Sequence, residues 1–296
     1  MSVIIDENTR LIVQGITGRE GIFHTERMLR YGTNVVAGVT PGKGGQTICG
    51  VPVFDTVKEA AEAANANASI LFVPARYTAG GVHEALDADI KVILTIAEHV
   101  PVHDMMICYH LAKAKQARLF GPNSFGIISP GKAKAGFMAH EIFKRGNVGI
   151  MSRSATNCYE TVNMMSAADI GQSTCIGVGG DMIPGSSFAD LLGDFENDKE
   201  TEAIVLIGEI GGGDEELAAE YISRKGFKKP VVAFIAGKNA PKGRSMGHAG
   251  AIVSADGTGS AENKERALRE AGCHIAENTQ EIVGILLGLK TRGEIA

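Results

Sequence analysis

The residue with the most chemistry to explain is His248, in the run Gly247-His248-Ala249-Gly250 within 243–252. An imidazole flanked by glycines gains nothing from packing, and the glycines leave bare backbone donors around it. Neutral imidazole is a competent nucleophile near neutral pH, and a carboxylate on one ring nitrogen selects the tautomer that exposes the other. The candidate carboxylate is Glu209, in Gly208-Glu209-Ile210-Gly211-Gly212-Gly213, directly after the apolar run 204–207. The plainer alternative is a glycine-rich turn ahead of an acidic helix at 214–216. A third group is Ser152-Arg153-Ser154-Ala155-Thr156, where a strand ends and a helix opens. Free N–H groups and hydroxyls at a helix start favour an anion; alternatively Ser154 is an N-cap and no more.

The first half of the chain carries a different signal. Gly15-Ile16-Thr17-Gly18-Arg19-Glu20-Gly21 follows an apolar run and opens a helix. Its GxxGxxG spacing is looser than the dinucleotide GxGxxG, and it suits either a phosphate or a tight turn. A dinucleotide site would put Asp or Glu at the end of the second strand. Here that end reads Val39-Thr40-Pro41-Gly42-Lys43-Gly44-Gly45, with a lysine suited to an extra phosphate such as the 3′-phosphate of coenzyme A. A solvated loop cation is the alternative for Lys43, weighed against the entropy cost of ordering such a loop without a ligand. The third and fourth strand ends hold Arg76 and Glu98. Glu98 either accepts from a nucleoside or is a surface acid.

These groups are positioned by an alternation of short β-branched runs and helix-like segments. Strands are expected at 11–16, 35–39, 70–73 and 92–96, with helices at 20–31, 57–64 and 82–88. A second series follows, with strands at 148–151, 175–178, 204–207 and 231–235 and helices from about 156, 187, 215 and 261. Runs apolar on both faces imply parallel sheets covered by helices, hence an α/β protein of two doubly wound domains. Turn signals crowd 121–146, so the expected division is 1–122, a linker at 123–146, and 147–296.

Composition narrows the function. The 296 residues carry a formal charge of −5 and no basic-aromatic block, which argues against a nucleic-acid partner. Five dispersed cysteines and eight histidines match no metal-ligand spacing, so no metal site is expected on this chain. No run reaches the length of a membrane span and the N-terminus lacks a signal-like pattern, so a soluble, cytoplasmic protein is expected.

Taken together, Gln14 to Gly18, Gly38 to Gly45, Gly121-Pro122-Asn123, Ser152-Arg153-Ser154, Gly179-Gly180-Asp181, Gly208 to Gly212 and Gly247 to Ala251 resemble the α subunit of succinate–CoA ligase along essentially the whole chain. The resemblance implies a Rossmann-like coenzyme A-binding domain followed by a flavodoxin-like domain bearing a phosphohistidine loop. It implies coenzyme A contacts at Thr17, Gly18, Arg19, Glu20, Lys43, Ile96, Ala97 and Glu98, phosphate contacts at Ser154 and Ala155, and Tyr159 on the acid side. It also implies an acyl phosphate, phosphoryl transfer to His248 steadied by Glu209, and an ATP-grasp β subunit, in an αβ or α2β2 assembly. Mg²⁺ and ADP/ATP or GDP/GTP would bind that β subunit.

Several positions depart from the family pattern: Ala155, Asn157 and Cys158 in the helix start, Met182 after Asp181, Ala97 before Glu98, and Ser124-Phe125 after Asn123. Ser124 and Phe125 are expected near the thiol and the small dicarboxylate. The extra polar Asn157 leaves malate open beside succinate, with citrate more distant. Outside the ligase class, a coenzyme A-sensing module or a dehydrogenase remains, but the first leaves His248 unexplained and the second lacks its strand-two acid.

Overall fold

The computed structural model describes residues 2–241, 247–254 and 256–296. The first sheet contains β1 (Leu11–Gln14), β2 (Val35–Val39), β3 (Thr47–Ile48), β4 (Val51–Phe54), β5 (Ala68–Leu71), β6 (Val92–Thr95) and β7 (Arg118–Phe120). Its order is β3-β4-β2-β1-β5-β6-β7, parallel apart from the short β3–β4 hairpin. With β3 set aside, the six parallel strands run 3-2-1-4-5-6, the Rossmann order. Helices α1 (Arg19–Tyr31), α2 (Val57–Ala64), α3 (Ala75–Asp87) and α4 (Val102–Ala114) make the crossovers.

The second sheet contains β8 (Gly126–Ser129), β9 (Ala133–Gly136), β10 (Arg145–Ser152), β11 (Gln172–Gly177), β12 (Ala203–Glu209), β13 (Val231–Ala236) and β14 (His274–Ala276). Its order is β14-β13-β12-β10-β11-β8-β9. Its parallel part is the flavodoxin order 2-1-3-4-5 read from the other edge. Helices α5 (Ala155–Ala167), α6 (Phe188–Asn197), α7 (Asp214–Lys225), α8 (Ala261–Glu270) and α9 (Thr279–Thr291) cover its faces.

The elements form where local chemistry favours them. Every residue of β1, β11 and β12 is buried, as sheets sandwiched between helices require. Thr56 and Ser187 start α2 and α6 with reciprocal capping boxes, and Gly32 ends α1 in the left-handed region.

The stretch 123–146 is not the bare linker expected from its turn residues. Its β8 pairs antiparallel with β11, placing Ile128 opposite Cys175, and β9 continues the ribbon. The turn signals at Ser129-Pro130-Gly131-Lys132 are the hairpin between these strands. Short strands such as β3, β8, β9 and β14 escaped the sequence pattern because two to four residues are too few to show a periodicity. Among the described residues no helix is long and apolar enough to cross a membrane.

β12 is paired on both sides, by β10 and β13, and its Leu206 is fully buried. Leu206→Ala is expected to destabilise by about 3 kcal/mol through lost transfer energy and a residual cavity. Urea unfolding followed by circular dichroism checks this; an unchanged midpoint would mean the site collapses freely.

Candidate active site

Doubly wound sheets bind ligands where the strand order reverses, beyond the carboxyl ends of the strands. In the second sheet that switch lies between β10 and β12, which end in Ser152 and Glu209. The Nδ1 of His248 lies 2.6 Å from Oε2 of Glu209. The His248 side chain is 25% exposed and the Glu209 side chain 8%, so the ring reaches the open edge while its partner stays inside. The other half of the histidine stretch, residues 243–246, lies outside the described residues.

Two features bring the ring there. Gly180, just past β11, lies against it: a Cβ at this position would sit 2.5 Å from the imidazole carbons. Glu209 in turn is held by its own backbone, whose N–H donates to Oε1 of Glu215 at 3.0 Å. Glu215 is fully buried and paired with the equally buried Lys264. A buried charge needs such a partner, and removing either member would leave the other uncompensated.

The electrostatics follow from this geometry. The hydrogen bond from Glu209 raises the pKa of His248, against the opposing effects of burial and of Arg153. Arg153 lies 3.8 Å from Glu209 Oε1 and 3.7 Å from Asp214 Oδ2. Burial pushes the Asp214 carboxyl up to about 6, despite the pull of Arg153. The acids at 214 and 215 are thus not a solvated helix start; both turn into the site's supporting layer.

Ser154 caps α5, its Oγ accepting the N–H of Asn157 at 3.3 Å, while its own N–H donates to Ser152 Oγ at 3.1 Å. The N–H groups of Ala155 and Thr156, in the first turn, have no intrahelical acceptor and face the carboxyl edge.

The first sheet reverses between β1 and β5, and a cavity of about 300 Å³ opens there between Gln14, Gly15, Thr40, Pro74 and Tyr77. Gly15 has φ +76°, and a Cβ on it would lie 2.5 Å from the Phe72 carbonyl oxygen, so the loop needs glycine. Thr17 lies beside it with its hydroxyl 3.1 Å from that of Thr40, and Gly18 caps α1. Arg19 and Glu20 are exposed, 3.8 Å apart. Lys43 is exposed and makes no ion pair among the described residues. Its loop is held by a Lys43-to-Thr40 backbone bond and by Asp55, which accepts from the Gly44 N–H. Ile96 and Ala97 are half-buried and Glu98 is exposed.

A chain of backbone bonds joins the two sites. The Asn123 N–H donates to the Ala97 carbonyl at 2.8 Å, and the Gly180 N–H donates to the Asn123 carbonyl at 3.3 Å. The loop at Ile96–Glu98 is therefore tied to the glycine on which His248 rests. Between them, a cavity of about 220 Å³ is lined by His99, Val100, Met105, Asp181, Met182 and Ala249.

Ser124 and Phe125 do not stand in this opening. Each is 1% exposed. The Ser124 hydroxyl donates to the Gly177 carbonyl and accepts from the Gly126 N–H, while Phe125 is part of the core. Their expected contact with the acid is corrected: the side chains turn inward to join β8 to β11. Tyr159 is half-buried against Phe125, ring centroids 5.9 Å apart, and its hydroxyl has no hydrogen-bond partner among the described residues. Sequence reasoning named Gly180 and the acids at 214–216 without giving them a role in the site, and did not reach Lys264.

Replacing Glu209 with Gln is expected to lower the His248 pKa, because the carboxylate that favours the imidazolium is gone. The sign carries over to stability: with the folded value above the unfolded ~6.5, the pair's contribution is complete below that pH and fades as pH rises through the folded value. A histidine NMR titration of both proteins checks this, and an unchanged His248 midpoint contradicts it.

Residues 6–99 match a CoA binding domain and residues 151–278 a CoA-ligase domain. The succinate–CoA ligase [ADP-forming] subunit alpha 2 of Archaeoglobus fulgidus is 54% identical over 286 residues, covering 97% of this chain and 99% of that protein. The subunit alpha of Aquifex aeolicus is 50% identical over 284 residues, covering 95% of this chain and 92% of that one. ATP citrate lyase from Methanothrix soehngenii, solved with citrate and coenzyme A, superposes with a TM-score of 0.89 at 27% identity, over 99% of this chain but 52% of its own. Two coenzyme A-related domains in series, with half of all positions shared along nearly full-length relatives, establish that this chain belongs to the succinate–CoA ligase α-subunit family of acid–thiol ligases.

Proposed function

We infer that this chain is the α half of an ADP-forming ligase that joins succinate to coenzyme A, carrying the phosphoryl group on His248. The observation that bears most weight is the 2.6 Å contact between His248 Nδ1 and a carboxylate that is itself buried and anchored. With Nδ1–H donating to Glu209, the Nε2 lone pair is the nucleophile, and the same carboxylate stabilises the positive ring that phosphorylation creates.

In the direction of thioester formation, Nε2 attacks the terminal phosphorus of a nucleoside triphosphate and the diphosphate leaves. A succinate carboxylate oxygen then attacks that phosphorus and the P–N bond breaks; the thiolate attacks the carbonyl carbon of the resulting acyl phosphate, the C–O bond breaks, and inorganic phosphate leaves. Ser154 and Ala155 present the α5 start to the phosphate. Coenzyme A supplies the thiol, and the β1–β5 cavity fits its nucleotide end: glycine clears the approach at Gly15, and no acid stands at the end of β2. Thr17, Gly18, Arg19, Glu20 and Lys43 would hold its phosphates, and Ile96, Ala97 and Glu98 would pass its arm toward Gly180 and His248. Tyr159 is kept on the acid side.

The "subunit alpha" in the relatives' names supports a second subunit, to which we assign an ATP-grasp fold, the nucleotide and Mg²⁺. Identities of about half with relatives named for succinate support that acid over malate.

Incubation of the chain and its partner subunit with γ-labelled ATP is expected to give acid-labile, base-stable label that vanishes in His248→Ala. An unlabelled parent protein would remove the phosphohistidine. Because attack requires unprotonated Nε2, labelling should rise with pH through a midpoint above 6.5; a rate independent of pH between 6 and 8 would count against the assignment. Lys43→Ala should weaken coenzyme A binding about fivefold, as for one exposed phosphate contact, and the difference should shrink at high salt. Isothermal titration at two salt concentrations reads both effects.

A further inference from the structure

Arg153 is a buried cation whose hydrogen-bonding capacity is unused. Its side chain is 10% exposed, and its nearest acids stand at 3.8 Å and 3.7 Å, beyond hydrogen-bond length. Among the described residues its guanidinium makes no hydrogen bond, although it carries five donors. No Arg153 nitrogen is among the fully enclosed atoms left without a partner, so the fork still reaches solvent and can exchange water for an anion. One of the facing atoms, Glu209 Oε1, is buried without a hydrogen bond. The backbone is not free to relax this, because the Arg153 N–H is fixed on the Ile207 carbonyl at 3.1 Å.

The position identifies the missing acceptor. Arg153 directly precedes the Ser154 cap of α5, and its guanidinium lies 3.8 Å from the carboxylate that holds His248. An anion seated there would meet helix-start N–H groups and a planar cationic fork together.

We propose that Arg153 is a catalytic residue of the ligase: its guanidinium takes up two oxygens of the phosphoryl group while that group is carried on His248 Nε2, leaving its loose position between Glu209 and Asp214. The inference rests on the phosphohistidine reading given above. No bond is made or broken by Arg153; it neutralises charge on the oxygens as the P–N bond forms and breaks.

The test uses the chain with its partner subunit, γ-labelled ATP as the probe, and two variants, Arg153→Gln and Arg153→Lys. Labelling of His248 should slow by about 10²-fold or more in the Gln variant, the usual loss for one charge-stabilising donor, with coenzyme A affinity within twofold of the parent. Lysine keeps the charge but not the fork, so its rate should fall between the two. Should the Gln variant lose coenzyme A binding through misfolding, the Lys variant decides alone, with a fivefold or greater slowing expected. A parental labelling rate in a variant that still binds coenzyme A overturns the role of Arg153 and leaves the phosphohistidine standing. An unlabelled parent overturns both.

Discussion

The short contact between His248 and Glu209 is the point on which the second domain converges, because a carboxylate 6% exposed at a strand end has to be held from several sides at once. Its backbone is fixed through Glu215, Glu215 is neutralised by Lys264 from α8, and its free oxygen looks toward Arg153. Strand β12, helices α7 and α8 and the β10–α5 junction each contribute one member. Removing either Glu215 or Lys264 would leave the other as an uncompensated buried charge. The imidazole gains a fixed tautomer from this arrangement, and the supporting charges are kept away from solvent, where each is worth more.

Each sheet reverses its strand order at one place, and backbone bonds connect the loops beside the two reversals. The Rossmann half presents its opening between β1 and β5, the flavodoxin half between β10 and β12. The backbone path from Ala97 through Asn123 to Gly180 then fixes the spacing of the two openings by hydrogen bonds of 2.8 and 3.3 Å. Under the proposed function that spacing matters, because a thiol held by the first domain must come within about 3–3.5 Å of an acyl phosphate formed beside the second.

The parts legible in the sequence are those with a strong local cause. The fully apolar runs of β1, β2, β10 and β12 announced buried parallel strands, and the isolated Gly-His-Ala-Gly loop together with Glu209 announced their pairing. What stayed hidden depended on tertiary partners. Lys264 on α8 reads as an ordinary polar helix residue until Glu215 is found opposite it, fully buried. Ser124 and Phe125 follow a turn motif and look exposed, yet the β8–β11 pairing draws both inside. The ordering of the Lys43 loop by Asp55 required knowing that residues eleven apart return to the same edge.

The ribbon formed by β8 and β9 changes what separating the halves would mean. Because β8 supplies the partner of β11, cutting the chain after residue 146 would strip one side of β11 of its antiparallel neighbour. A fragment made that way would carry a naked strand edge along Gln172–Gly177, open to pairing with copies of itself. The natural seam therefore lies ahead of Gly126, and the crossing between the two layers is a suture rather than a tether.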